Sequence, residues 1–514
     1  MSSNKKYWKS VEELKENSSI VETLQQKEFT EEIPTDEFLG DKESLSGSST
    51  TRRDFLKYVG FSTAAASLAA CEGPVIKSIP YVVQPERIVP GVANFYATTM
   101  ADGFDFASVL VRTREGRPIK IENNASATAK AGVNARVHAS VLSMYDSQRV
   151  KRPMMDGQNV SWDKFDQEMM NSLQSVQGEI VLLTQTFASP STTKLINEFS
   201  AKYGNVRHVV YDTVSEDATL TAFKAKYGVR ALPNYDMSKV ETIVSVGADF
   251  LGDWQGGGFD AAYAKTRIPD NGTMSRHIQF ESNMSLTGAN ADKRVPVTPS
   301  QQKAVLAALY NYISGGSSTS NLPANIDDAV VKAANNLKKS GNNSVVITGL
   351  PDFDAQSIAL AINESLGSTV IDTANPRMIR QGNAEEVLKL VAEMNSGSVG
   401  AVLIAGVNPV YSLPNSAEFV EALKKVEVSV AFSMKEDETA KLCKYIAATP
   451  HYLESWGDVQ FTRNSFSLMQ PTISPLFDTR QFQECLLKWS DNSTSYYEYI
   501  KETWNGSLGS VTWN

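Results

Sequence analysis

The sequence predicts an α/β protein in which a small β-rich domain precedes two α/β domains built on parallel sheets. Three observations carry that expectation. Ala107-Ser108-Val109-Leu110-Val111-Arg112-Thr113 alternates like a half-buried strand, Arg114-Glu115-Gly116-Arg117 reads as a hairpin turn, and Pro118-Ile119-Lys120-Ile121-Glu122 as the return strand. From Trp162 onward, short apolar runs alternate with amphipathic stretches, as strand–helix–strand units around a parallel sheet do. The alternation starts afresh at Ser344. With 514 residues, 42% of them hydrophobic and 21% charged, the chain is globular and large enough for roughly two to four domains.

Residues 1–50 form an acidic extension. Val11, Leu14, Val21 and Leu24 suggest one weak amphipathic helix, and residues 41–50 are a Ser/Gly-rich linker. The chain as a whole carries a net charge of −9, which disfavours a nucleic-acid partner.

Residues 51–71 read as a targeting segment. Arg52 and Arg53 are adjacent, and Phe55, Leu56 and Lys57 follow at the spacing of a twin-arginine export signal. The apolar run over residues 58–70 is too short to span a bilayer, which takes ~20 apolar residues. Its small-residue ending suits a signal peptide. Leu68-Ala69-Ala70-Cys71 then reads as a lipoprotein processing site, with Cys71 as the lipidated residue. The plainer alternative is a buried amphipathic helix with two surface arginines. Twin-arginine export places the protein on the periplasmic face of the inner membrane, and a lipid on Cys71 would anchor it there.

Residues 74–155 are the small β-rich domain. In residues 156–330, strands are expected at Ile180-Val181-Leu182-Leu183, at 206–211 and at Thr242-Ile243-Val244-Ser245-Val246, with helices over 192–203 and 218–227. In residues 331–470, strands are expected at 344–348, 369–371, 401–405 and 428–432, with helices over 355–366, 384–394 and 416–426. Residues 471–514 are a C-terminal segment. In open parallel sheets ligands sit at the C-terminal ends of strands, so the loops that follow these strands are the candidate site.

The cysteines are Cys71, Cys443 and Cys485, too few and too scattered for a four-cysteine iron–sulfur cluster. A Cys443–Cys485 disulfide and two separate buried thiols both suit an exported protein. His138, His208, His277 and His451 show no metal-ligand spacing and read as surface or core residues.

The order of landmarks resembles the catalytic subunits of molybdopterin oxidoreductases, which bind two pterin-guanine dinucleotides. The strand–turn–strand over 109–121 resembles their small iron–sulfur domain. Leu142-Ser143-Met144-Tyr145-Asp146-Ser147-Gln148-Arg149 and Ser161-Trp162-Asp163-Lys164-Phe165 resemble the entry to their first α/β domain. Asn408-Pro409, Asp437-Glu438-Thr439-Ala440 and Leu453-Glu454-Ser455-Trp456-Gly457-Asp458-Val459-Gln460 resemble the second. The departures matter as much. Where the family holds a cluster with cysteines, this chain has Thr98-Thr99-Met100-Ala101-Asp102-Gly103 and Asn134-Ala135-Arg136-Val137-His138. Where the family grips the nucleotide, it has Phe280-Glu281-Ser282 and Pro299-Ser300-Gln301-Gln302.

A narrower likeness fits these departures. Together with the internal signal, Pro90-Gly91-Val92-Ala93-Asn94-Phe95-Tyr96, Gly247-Ala248-Asp249-Phe250-Leu251-Gly252 and Ser285-Leu286-Thr287-Gly288 look like the molybdopterin-oxidoreductase-like part of bacterial alternative complex III. That resemblance implies a non-catalytic scaffold with no cofactor and no metal of its own in a quinol-oxidising respiratory complex. Its partners would be a ferredoxin-like iron–sulfur module, on a separate chain or a further part of the polypeptide, multihaem cytochrome c subunits and integral membrane quinol-binding subunits. The vestigial cleft would be lined by Gly247, Ala248, Asp249, Thr287, Gly288, Gly349, Asn408, Pro409, Glu438 and Thr439. The alternatives are an active enzyme carrying molybdenum bis-pterin-guanine dinucleotide and acting on a small oxyanion, and a nucleotide-binding α/β protein unrelated to redox.

Overall fold

In a computed structural model of the protein, residues 89, 91–127, 132–272, 274–316 and 321–505 are described. Arg52, Arg53, Phe55, Leu56, Lys57 and Cys71 lie outside the described residues.

Three antiparallel strands come first: β1 (Asn94–Ala101), β2 (Phe106–Arg114) and β3 (Arg117–Asn123), paired in that order. The expected hairpin turn is there, with Glu115 and Gly116 both at positive φ. One face of this sheet, Val109, Val111 and Ile121, packs on Val137, Val141 and Met144 of α1 (Ala135–Met144). The other face is open, which is why β2 alternates.

The chain then lays down β4 (Met154–Met155), β5 (Gln158–Asn159), α2 (Trp162–Ser175), β6 (Glu179–Thr184), α3 (Pro190–Tyr203) and β7 (Val206–Val210). It leaves through α4 (Asp217–Tyr227), β8 (Leu232–Tyr235), β9 (Thr242–Val246), β10 (Arg276–Glu281), β11 (Lys293–Pro296), α5 (Pro299–Ser314), α6 (Ala324–Ser340), β12 (Ser344–Thr348), α7 (Phe353–Ser365) and β13 (Ile371–Arg377). It returns through α8 (Ala384–Ser396), β14 (Val399–Ala405), α9 (Ser416–Leu423), β15 (Val428–Ser433), β16 (Tyr445–Ala448), β17 (Gly457–Thr462), β18 (Ser465–Met469), α10 (Phe482–Trp489) and α11 (Tyr496–Trp504).

These strands make a seven-stranded sheet in the order β5-β4-β16-β15-β14-β6-β7, a four-stranded parallel sheet β11-β10-β9-β12 and an antiparallel sheet β18-β17-β13-β8. Every residue of β9, β12 and β14 is buried. That explains their continuous apolar runs, since a strand covered by helices on both faces has no polar side to show. Each such Val, Ile or Leu contributes ~1.5–3 kcal/mol by leaving water.

The expected cut between residues 330 and 331 does not follow the sheets. β9 pairs with β12 across it, and β6 pairs with β14 across it. A parallel pair needs only a long crossover, so a whole second sheet is inserted between β7 and β14. The strand expected at 369–371 begins at Ile371 and pairs antiparallel with β8. Residues beyond 471 are part of the main core: Phe482, Cys485, Leu486, Trp489, Tyr496 and Tyr499 pack with Phe165, Leu195 and Phe432. Cys443 and Cys485 are separate free thiols, and burial pushes that of Cys443 up to about 12.

Candidate functional site

A parallel sheet opens a crevice at its strand C-termini where adjacent strands lead off in opposite directions. In the seven-stranded sheet that point lies between β6 and β14. β6 leads through α3 to β7 on one side, and β14 leads through α9 to β15 on the other. In the four-stranded sheet it lies between β9, whose successors β10 and β11 occupy one side, and β12 on the other.

The ten expected cleft positions fall into two groups, and the hydrogen bonds of their side chains run within each group. Gly247, Ala248 and Asp249 follow β9, Thr287 and Gly288 lie just beyond β10, and Gly349 follows β12. Asp249 Oδ1 accepts from the Thr287 backbone N (2.9 Å) and Oγ1 (2.6 Å), and Thr287 Oγ1 accepts from Leu251 N (2.9 Å). A Cβ on Gly349 would lie 2.3 Å from the Gly247 carbonyl oxygen, so the two strand ends touch backbone to backbone. Gln302 donates from Nε2 to Ser282 Oγ (2.9 Å) and leans on Gly247, whose Cβ it would meet at 3.1 Å. Glu281, 3% exposed, accepts from Ser285 Oγ (2.6 Å) and pairs with Arg294 Nε (2.6 Å).

Asn408 and Pro409 follow β14, and Glu438 and Thr439 follow β15. Asn408 Nδ2 donates to Glu438 Oε2 (2.7 Å), Thr439 Oγ1 donates to Asn408 Oδ1 (2.7 Å), and Val410 N donates to Thr439 Oγ1 (3.1 Å). The polar edges of this turn are bonded to one another.

At the main switch point the structure adds residues that the sequence did not single out. Gln185 directly follows β6. Its amide nitrogen, placed toward two acceptors, donates to the carbonyls of Gly406 (3.0 Å) and Asp102 (2.5 Å). A Cβ on Gly406 would come within 2.4 Å of the Gln185 amide carbon, so glycine is required there by the close approach as well as by its φ of 72°. A cavity of about 190 Å³ remains, lined among others by Gln185, Ser189, Gly406, Phe432, Trp456 and Asp458. The strand-end rule that selects Gly247 would also have selected Gln185. Nothing local links Asp458 to Ser189, 269 residues away.

The two segments that stand in place of cluster cysteines do meet. Asp105, 3% exposed, accepts from Asn134 Nδ2 (2.6 Å) and from Arg136 Nε (2.8 Å) and Nη2 (2.9 Å), and Arg136 Nη1 reaches Asp253 (2.8 Å). These donors and carboxylates satisfy one another, and none of these four is a thiolate, the ligand iron–sulfur clusters need. Among the described residues, no group of three or more His, Cys, Asp or Glu side chains is placed to hold a metal ion.

Ligand pockets run to ~300–1,000 Å³. The cavity between β6 and β14 is smaller, at about 190 Å³, and the strand ends at the second switch point are in contact. The residues present at neither point fit a pterin-guanine dinucleotide.

A small antiparallel sheet followed by two parallel sheets, the second inserted into the first, defines a molybdopterin-oxidoreductase-like fold. Acetylene hydratase from Pelobacter acetylenicus shares that fold with a TM-score of 0.60 over 77% of this chain and 69% of its own, at 12% identity. No family model matches the sequence. The menaquinone reductase molybdopterin-binding-like subunit of Nitratidesulfovibrio vulgaris is 23% identical over 496 residues, covering 85% of this chain and 71% of that subunit. The chain is thus a molybdopterin-oxidoreductase-like protein.

Proposed function

We propose that the chain is a non-catalytic, cofactor-free scaffold subunit of a membrane-bound, quinone-linked respiratory complex of the alternative complex III type. One observation carries this reading. At both switch points, the side chains and backbone that could receive a dinucleotide are bonded to, or in contact with, the chain itself. The relative named as a molybdopterin-binding-like subunit of a menaquinone reductase supports the respiratory setting. Its name specifies quinone reduction, whereas the resemblance in the sequence points to quinol oxidation. A scaffold without redox centres serves either direction, and we favour oxidation.

On this reading the protein is exported by the twin-arginine route and held at the periplasmic face of the inner membrane through lipid on Cys71. It would support a ferredoxin-like iron–sulfur module beside multihaem cytochrome c and integral membrane quinol-binding subunits. Among the described residues, no helix is long and apolar enough to cross a membrane, so membrane contact would come from the lipid and from partners.

Elemental analysis and nucleotide release from the native complex test the reading. The expected result is no molybdenum, tungsten or guanine nucleotide in proportion to this chain. Stoichiometric metal with guanine nucleotide would replace the scaffold by the oxyanion-converting molybdenum enzyme.

A further inference from the structure

A helix that begins at the C-terminal edge of a parallel sheet aims backbone N–H groups and the positive end of its dipole at the crevice, which is where such folds seat a ligand's phosphate. α3 begins at that edge, five residues beyond the last residue named in β6 if Ser189 is counted as its cap. A carboxylate from a remote strand occupies its N-terminus. Asp458 of β17 is 2% exposed. Its Oδ1 accepts from Ser189 Oγ (2.5 Å), and its Oδ2 accepts from Ser191 N (3.1 Å), Ser191 Oγ (2.9 Å) and Trp504 Nε1 (2.9 Å).

This is more than a helix cap. Ser189 already caps α3 by accepting from Thr192 N (3.0 Å). Asp458 brings an additional carboxylate from another sheet, and α11 closes over it. Besides Trp504, Tyr496 places its hydroxyl 2.9 Å from Thr192 Oγ1, and Tyr499 donates to Glu198 (2.8 Å). On the far side of the same cavity, Gln185 spans the gap between β6 and β14. An incoming phosphate would meet no open donor among Ser189 Oγ, Ser191 N and Ser191 Oγ, and would face a carboxylate of its own sign.

We infer that Asp458 is a built-in ligand of the switch point: its carboxylate takes the seat of a phosphate on α3, and the chain thereby closes its own crevice to dinucleotides. The inference rests on the scaffold reading and names the group that enforces it.

Thermal unfolding of the purified full chain in chloride, formate and inorganic phosphate at one ionic strength tests it. The midpoint of the parent protein should be the same in all three salts. Asp458→Ala should fall by roughly 5 °C in chloride. At least half of that loss should return with formate in a saturable way, because formate replaces the missing carboxylate. Saturable stabilisation of the parent by phosphate, or formate insensitivity of Asp458→Ala, would overturn the assignment. Should Asp458→Ala not fold, equilibrium dialysis of the parent with guanosine diphosphate decides: retention overturns the inference and exclusion supports it. Molybdenum with guanine nucleotide in the native complex would overturn the scaffold reading, whereas loss of formate rescue overturns only the role of Asp458, so the two fail separately.

Discussion

Arg149 and Glu454 form a two-pronged ion pair, Nη1 to Oε1 at 3.2 Å and Nη2 to Oε2 at 2.7 Å, with both side chains fully out of solvent. Arg149 follows α1, and Glu454 precedes β17, so the pair fastens the small β domain to the far end of the chain. Glu454 also accepts from His451 N (2.8 Å) and Leu476 N (3.0 Å), and Arg149 donates to Met144 O (3.0 Å). Removing one partner strands a buried charge and should cost ~3–5 kcal/mol, whereas Arg149→Met with Glu454→Leu should cost much less than the two single changes together. Urea midpoints of the four proteins measure this. Additive losses would show that the charges are not coupled.

Gly349→Ala should destabilise the protein by ~2–3 kcal/mol or more, because its Cβ would lie 2.3 Å from the backbone oxygen of Gly247 and force β9 and β12 apart. Calorimetric unfolding reads the effect. A variant as stable as the parent would contradict the closed second switch point.

Stability should fall as pH drops below the ordinary histidine range. His451, 2% exposed, accepts from Leu453 N at Nδ1 (3.3 Å) and approaches Ser140 O through Nε2 (3.1 Å). That arrangement suits a neutral ring. Burial lowers its pKa to about 4, and does the same for His277, which is 0% exposed. The unfolded chain therefore binds these protons first. Stability is fully present above ~6.5 and is lost as pH falls toward 4, by ~2 kcal/mol for each ring at pH 5. Unfolding midpoints from pH 7 to 5 should decline, and His451→Gln should flatten part of the slope. An unchanged slope would remove His451 from the account.

Arg52→Lys with Arg53→Lys should leave the precursor in the cytoplasm, because a guanidinium pair is not replaced by ammonium groups. Fractionation of cells shows where the protein resides, and normal periplasmic delivery would refute the twin-arginine reading. Mass spectrometry of the mature N-terminus tests Cys71 in the same preparation. A peptide running unmodified through Ala70-Cys71-Glu72 would exclude both lipid and cleavage there.

Local periodicity by itself determined the class of the protein. The alternation at 107–113 and the buried runs at 180–183, 242–246 and 401–405 each became strands, because backbone geometry couples side-chain spacing to burial within a few residues. The strand-end rule also located the turns that carry Gly247, Gly349 and Asn408. Only the tertiary structure decided which of those ends meet. The pairing of β6 with β14 and of β9 with β12 joins segments on either side of residue 330, and no local pattern encodes the partner of a uniformly apolar strand. Closure of the switch points was likewise out of reach. Gln185 against Gly406, and Asp458 on the N-terminus of α3, are contacts whose energy depends on donors and acceptors brought together from hundreds of residues apart, and they exist only once the sheets have assembled.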